Sequence, residues 1–239
     1  MIFSLASLSA HNLEQSVNSE DRSPDNVARD IYRHPYETLS FFGVKPDMTV
    51  VELNPGGGWY TEILANYIHY PGTLITAQGS YYFEGFEKKM NSNPMYGRVE
   101  IVNLNSNLAE PNSVDAVVTF RNLHNWLGPE MDSIFENSFK ALKSGGSFGV
   151  VEHRANSGTD LETMKKSGYV TEDHAIKVAL KHGFELVAKS EINANPKDTK
   201  DHPKGVWTLP PRLRLNDVDR DKYESIGESD RMTLLFRKP

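Results

Sequence analysis

The sequence predicts an α/β fold built on a doubly wound, mostly parallel sheet of seven strands, and three observations carry this expectation. From Thr49 onward, short apolar runs alternate with helical patterns, the sign of βαβ units. The first run, Val50-Val51-Glu52-Leu53, leads through Asn54-Pro55-Gly56-Gly57-Gly58 straight into the start of a helix. Two strand-like runs near the C-terminus stand apart from the alternation, on either side of a long polar excursion.

In chain order, residues 1–22 read as a flexible leader. Ile2–Ala10 is short, fairly apolar and followed by polar residues, which fits a disordered lead or the remnant of a signal peptide. Ser23-Pro24-Asp25 supplies an N-cap, an N1 proline and an acidic first turn for a helix running to Arg33. A second helix follows Pro35, with Tyr36, Leu39, Phe41 and Phe42 on its apolar side and Gly43 to end it. This pair, within 23–47, is expected to pack on the main body and roof its cleft. Strands are predicted at Thr49–Leu53, Leu74–Ala77, Val99–Val102, Ala116–Phe120, Phe148–Glu152, Glu185–Glu191 and Met232–Phe236. Helices are predicted at Tyr60–Ile68, Tyr82–Met90, Pro129–Leu142 and Glu172–His182, with Gly145-Gly146 turning the chain into the fifth strand and Gly183 closing the last helix. The excursion over 192–230 contains Pro196, Pro203, Pro210 and Pro211; segments of that length inside a compact domain serve as lids or binding loops, or are disordered. Its apolar stretch Val206-Trp207-Thr208-Leu209 predicts that part of it docks on the body. Residues 23–239 therefore read as one domain, a size that α/β folds reach undivided.

Composition narrows the function. With 26 basic against 32 acidic residues and no dense Lys/Arg block, the counterion-release term that drives nucleic-acid binding is weak. No segment approaches the length needed to span a bilayer. The lack of cysteine excludes disulfides, thiolate metal sites and cysteine nucleophiles. No histidine spacing marks a metal site; a cluster of His124, His153 and Glu152 is a remote alternative.

A strand–glycine loop–helix junction brings backbone N–H groups and a helix N-terminus to one point beside the end of a strand, where a polar cofactor can approach. A dinucleotide fingerprint would require G-x-G-x-x-G, and Thr61 stands where its third glycine would fall. Trp59 and Tyr60 would crowd a pyrophosphate at the helix start; a methionine tail with a ribose needs less room.

Here the chain resembles a class I S-adenosylmethionine-dependent methyltransferase. Val51–Gly58 resembles the family's first motif, and the Gly145-Gly146 turn is its usual later landmark. More narrowly, Phe41–Pro46, Asn54–Gly58, Arg121–His124, Val151–Arg154 and Ser229–Met232 resemble a little-characterised group of predicted methyltransferases. The resemblance implies a Rossmann-like sheet with an antiparallel C-terminal edge hairpin, and methyl transfer from S-adenosylmethionine to a small-molecule acceptor. It also implies a cytoplasmic location, where that cofactor is made; a signal remnant would imply export instead.

Carried over by position, the resemblance gives Glu52, Asn54, Gly56 and Gly58 the methionine end of the cofactor. Gln78 stands where the family places an acidic residue on the ribose hydroxyls; a carboxamide accepts at one oxygen only, so weaker ribose binding is expected. Asn103 or Asn105 would lie near the adenine amino group, with Asn105 favoured by its spacing. Arg121, after the fourth strand, suits the methionine carboxylate. His124 and His153 follow neighbouring parallel strands, whose ends line one crevice, and are the candidate bases. One such histidine alone is more often a hydrogen-bonded structural residue; two at adjacent strand ends favour a function. Trp59 and Trp126 read most simply as packing residues. Two other readings stay open: a protein that keeps the fold as a binding or scaffold module, and an NAD(P)-dependent oxidoreductase.

Overall fold

The computed structural model describes residues 12–80 and 83–239. Seven strands, β1 (Thr49–Leu53), β2 (Thr73–Gln78), β3 (Val99–Asn103), β4 (Val114–Phe120), β5 (Leu142–His153), β6 (Glu185–Ser190) and β7 (Arg231–Arg237), form one sheet in the order β3-β2-β1-β4-β5-β7-β6. β1 pairs in parallel with β2 and β4, β2 with β3, and β4 with β5. β7 runs antiparallel between β5 and β6, the edge hairpin that the resemblance implied.

Four short helices precede the sheet: α1 (Leu13–Val17), α2 (Pro24–Val27), α3 (Asp30–Arg33) and α4 (Pro35–Phe41). The later helices are α5 (Trp59–Tyr67), α6 (Phe83–Met90), α7 (Pro129–Ala141), α8 (Leu161–Ser167), α9 (Glu172–Lys181) and α10 (Arg220–Ile226). Both faces of the sheet are covered, which is why the inner strands read as continuous apolar runs. Val51, Leu53 and Val117 point to the core shared with Ile134 and Phe135 of α7 and Ala175 and Ala179 of α9. Their neighbours Val50, Ala116 and Val118 point the other way, onto Leu39 of α4 and Ile63 and Leu64 of α5. α4 sits flush on that second face: a Cβ on Gly149 of β5 would come within 2.5 Å of the Phe42 ring.

The N-terminal region departs from the sequence reading in two ways. Residues 1–11 of the expected leader lie outside the described residues, but its remainder is built into the fold. α1 is closed by an Asn12–Gln15 capping box, Leu13 is buried in the α4–α5 core, and the Arg22 guanidinium donates to both carboxylate oxygens of Asp30 at 2.7 and 2.8 Å. The helix expected from Ser23 to Arg33 is broken into α2 and α3, because tertiary contacts overrule local propensity there. Arg22 pins the start of α3, and Arg29 and Arg33 both turn to the distant Glu228. Ser23 makes no side-chain cap; its hydroxyl donates to Glu62 of α5 at 2.6 Å instead.

The excursion over 192–230 docks as its apolar stretch predicted. Val206 is buried with Ala155 and Tyr169, and Gly205 lies so close to Ser167 of α8 that a Cβ would fall 2.1 Å from its carbonyl oxygen. The Tyr169 hydroxyl donates to Asp198, which also accepts from the Asp230 backbone N–H, tying the excursion to the start of β7.

Candidate functional site

The strand order reverses between β1 and β4, and the cleft opens at the carboxyl ends of these two strands, the place where open α/β sheets take ligands. Its volume is about 430 Å³, the scale of a small organic molecule. The floor comes from Asn54–Gly57 after β1 and from Phe120, Arg121 and Asn122 at the end of β4. Asn26, Arg29 and Arg33 of the N-terminal helices form one wall, and Val206, Trp207, Pro210, Pro211, Arg212 and Arg214 of the excursion form another.

Asn54 and Arg121 close the floor in backbone conformations that side chains rarely adopt, with φ of 47° and 62°. Such strain costs on the order of 1 kcal/mol or more per residue and clusters at ligand sites. Two bonds hold them there. The Asn54 amide donates to Asn122 Oδ1 at 3.0 Å, and the Arg121 backbone N–H donates to the Val151 carbonyl of β5 at 2.7 Å.

Of the sequence-predicted residues, Asn54, Gly56, Arg121, His124 and His153 line this cleft. Gly56 and Gly57 have open space where a Cβ would project, so the loop backbone is approachable. Glu52 lies below, fully buried beside a void of about 20 Å³, and accepts from the Thr61 hydroxyl at 2.6 Å. Burial pushes its carboxyl up to about 7 against the effect of that bond and of Lys89. Gly58 supports the turn: φ of 76° caps α5, and Phe86 and Lys89 of α6 pack against it.

Gln78 and Asn105 fall elsewhere. Gln78 is buried, and both ends of its amide are used on the glycine loop: Oε1 accepts from Gly56 N–H at 3.3 Å and Nε2 donates to Gly56 O at 3.2 Å. It latches the loop to β2, with Lys89 gripping the Gly57 carbonyl at 2.7 Å from the other side. Asn105 is exposed, and only its backbone N–H is engaged, by Asn103 Oδ1. The loop after β1 thus offers open backbone to the cleft, while the carboxamide of Gln78 is already committed to protein backbone.

His124 and His153 do come together, with ring centres 5.2 Å apart. Glu152 organises them. Its buried carboxylate accepts from His124 Nδ1 at 3.0 Å and from the backbone N–H groups of His124 and His153 at 3.2 and 2.7 Å. A carboxylate acceptor makes Nδ1 the donor and leaves Nε2 of His124 as a free acceptor. His153 is buried, with Nδ1 2.5 Å from Ser229 Oγ. Burial, then His124 and the guanidiniums of Arg231, Arg121 and Arg33, hold it well below the usual imidazole range, so it is neutral. Ligand atoms of His124, Glu152 and His153 lie within 4.8 Å of one another, close enough to share an ion, although each is already hydrogen-bonded within the protein and arginines surround them.

Sequence reasoning missed Arg29, Arg33 and Arg231, which enter the cleft, and Glu228, which anchors all three. Arg231 opens β7 ahead of Met232, Leu234, Leu235 and Phe236, a hint that a guanidinium is buried there. Trp59 packs as expected, its indole N–H donating to the Asn26 carbonyl and its ring covered by Arg22 and Arg33.

No family model matches the sequence, and no match is found among curated proteins. Solved structures match along most of its length. A SAM-dependent methyltransferase from Aquifex aeolicus is 17% identical with a TM-score of 0.58, covering 77% of this chain and 94% of its own. Geranyl diphosphate C-methyltransferase from Streptomyces coelicolor is 10% identical with a TM-score of 0.63, covering 96% and 89%. The cyclase SpnF is 15% identical with a TM-score of 0.62, covering 95% and 91%. The chain therefore has the fold of the class I S-adenosylmethionine-dependent methyltransferases. The cyclase among its neighbours means that the chemistry has to be argued from the site.

Proposed function

We propose that this chain transfers a methyl group from S-adenosylmethionine to a protic group of a small molecule, with His124 as the general base. The observation that carries the reading is His124, bonded to the buried Glu152 of β5 and lining the same cleft as the open glycine loop. When bound, S-adenosylmethionine supplies a methyl carbon activated by a positive sulfur, so the protein's work is positioning, exclusion of water and proton removal. Asn54, Gly56 and Gly57 would hold the methionine end, with Arg121 available to its carboxylate. Glu152 fixes the tautomer and ring orientation of His124, whose Nε2 takes the acceptor's proton. Neutral His153 and Trp207 pack near the His124 ring and limit its rotation. A small-molecule acceptor suits the cleft volume and the weak net charge, and no helix among the described residues is long and apolar enough to cross a membrane.

The test has two parts. Calorimetry with S-adenosylmethionine and S-adenosylhomocysteine should detect binding, and neither binding at millimolar concentration would remove the reading. With an acceptor in hand, His124→Asn should lower kcat by about 10²–10⁴-fold with cofactor affinity little changed.

A second reading, a binding module that keeps the fold, is favoured by one observation, the pair of hydrogen bonds that commits Gln78 to Gly56. Turnover separates the two: cofactor binding by the full chain with no methyl transfer to varied acceptors supports the module. The oxidoreductase reading finds no such support, since Trp59 and Tyr60 at the start of α5 are buried under the N-terminal helices and Thr61 is spent on Glu52.

A further inference from the structure

The charge of the cleft is one-sided. Among the described residues it is lined by six arginines, Arg29, Arg33, Arg121, Arg212, Arg214 and Arg231, and by no aspartate or glutamate. Behind the wall, Glu228 alone receives Arg29 at 2.6 Å, Arg33 at 3.3 Å and Arg231. Burial opposes its ionisation, yet the surrounding guanidiniums hold its carboxyl down to about 2. One carboxylate cannot balance them. Arg33 and Arg231 are 3% and 2% exposed, and among the described residues Nη2 of the first and Nε of the second have no acceptor. Arg121 makes no ion pair among the described residues and is held into the cleft by its strained backbone. Arg214 stacks on Trp207, its guanidinium carbon 4.6 Å from the ring centre.

Buried guanidiniums left with unmet donors are costly unless something anionic completes them. The methionine carboxylate of a bound cofactor would engage one of them and leave the rest. The arginines come from four separate places, α2–α3, the end of β4, the excursion and the start of β7, so they surround an anion instead of facing one edge of it. That arrangement suits a tetrahedral group with oxygens on every side better than a planar carboxylate, and each guanidinium can bind two such oxygens. Trp207, Phe120 and Val206 supply apolar surface beside it.

We infer that the cleft binds a small phosphate ester, its phosphoryl group held by the arginine basin and its apolar or aromatic body against Trp207 and Phe120. Assigning this molecule as the methyl acceptor rests on the methyl-transfer reading; its binding does not. Titrations of the full chain without cofactor, using phenyl phosphate, inorganic phosphate and benzoate, test the inference directly. Phenyl phosphate should bind at least about tenfold more tightly than benzoate, and more tightly than inorganic phosphate, with affinity falling as salt rises.

Arg33 and Arg231 are too deeply buried for substitution to leave the fold untouched, so the informative variants are elsewhere. Arg212→Gln with Arg214→Gln, both on exposed positions, should weaken phenyl phosphate severalfold and flatten the salt dependence. Lys165→Gln, on the exposed face of α8, should change nothing. Equal affinity for benzoate and phenyl phosphate, binding indifferent to the paired Arg212 and Arg214 substitutions, or no binding at millimolar concentration would each overturn the inference. None of these outcomes bears on whether S-adenosylmethionine binds, which is measured separately.

Discussion

Glu52 is a carboxyl group sealed beneath the glycine loop, and its protonation couples the site to stability. Its folded pKa of about 7 lies above the ordinary value of 4.5, so between these pH values the folded state retains a proton that the unfolded chain gives up. Stability is thus fully supported below about pH 4.5 and declines as pH rises to about 7. Glu52→Gln, which keeps an acceptor for Thr61, should flatten that decline and raise stability at pH 8 by on the order of 3 kcal/mol, as read by denaturant melts across pH. Glu152 acts differently, through another residue. Glu152→Gln should preserve the fold of the β4 and β5 ends but lose the fixed tautomer of His124, lowering kcat by about tenfold or more with little change in KM. Much of this was legible in the sequence, because Glu52, His124, Glu152 and His153 each sit at a strand end that the apolar pattern defines. The roles of Gln78 and the buried arginines were not. Gln78 was assigned by position to a ribose, whereas its carboxamide fits the Gly56 N–H and C=O together, a match visible only once the loop is folded.

At the level of elements, local signals held wherever a segment packs on neighbours of its own βα unit. The continuous burial of β1, the turn at Gly56–Gly58 and the caps of α5 follow from nearby residues. They failed at α2–α3, where Arg29 and Arg33 answer to Glu228, 199 and 195 positions away, and at α1, whose short helix exists because Leu13 is buried against α4 and α5. Glu228 ties these helices to β7. Its folded pKa is depressed to about 2, so its contribution is present above about pH 4.5 and is lost as pH falls towards 2. Glu228→Gln should cost about 3–5 kcal/mol at neutral pH, since it leaves buried guanidiniums unpaired, and should remove part of the acid sensitivity measured by thermal melts. The seating of α4 on the sheet makes a separate claim. Gly149→Ala should destabilise by about 1–3 kcal/mol through the Phe42 ring, and adding Phe42→Leu should recover part of that loss in a double-mutant cycle.

At the scale of the whole molecule, the sheet and the N-terminal and late segments meet at one point. The reversal of strand order between β1 and β4 opens a crevice, the N-terminal helices and the excursion wall it, and the loop after β1 offers it bare backbone. Fold class and the position of this crevice were readable from βα alternation and the glycine loop. Of its charge only Arg212 and Arg214, close to Trp207 in the chain, give a hint, because the other arginines that line it are scattered from position 29 to position 231 and converge only in three dimensions. The central claim is that the open loop at Gly56 and Gly57 takes the methionine end of S-adenosylmethionine. Calorimetric titration of S-adenosylmethionine into the full chain and into Gly57→Leu, whose side chain would enter the open space over the loop, tests it most directly. The expected result is saturable binding to the first and at least about tenfold weaker binding to an equally stable second; equal binding by both, or none by either, would contradict it.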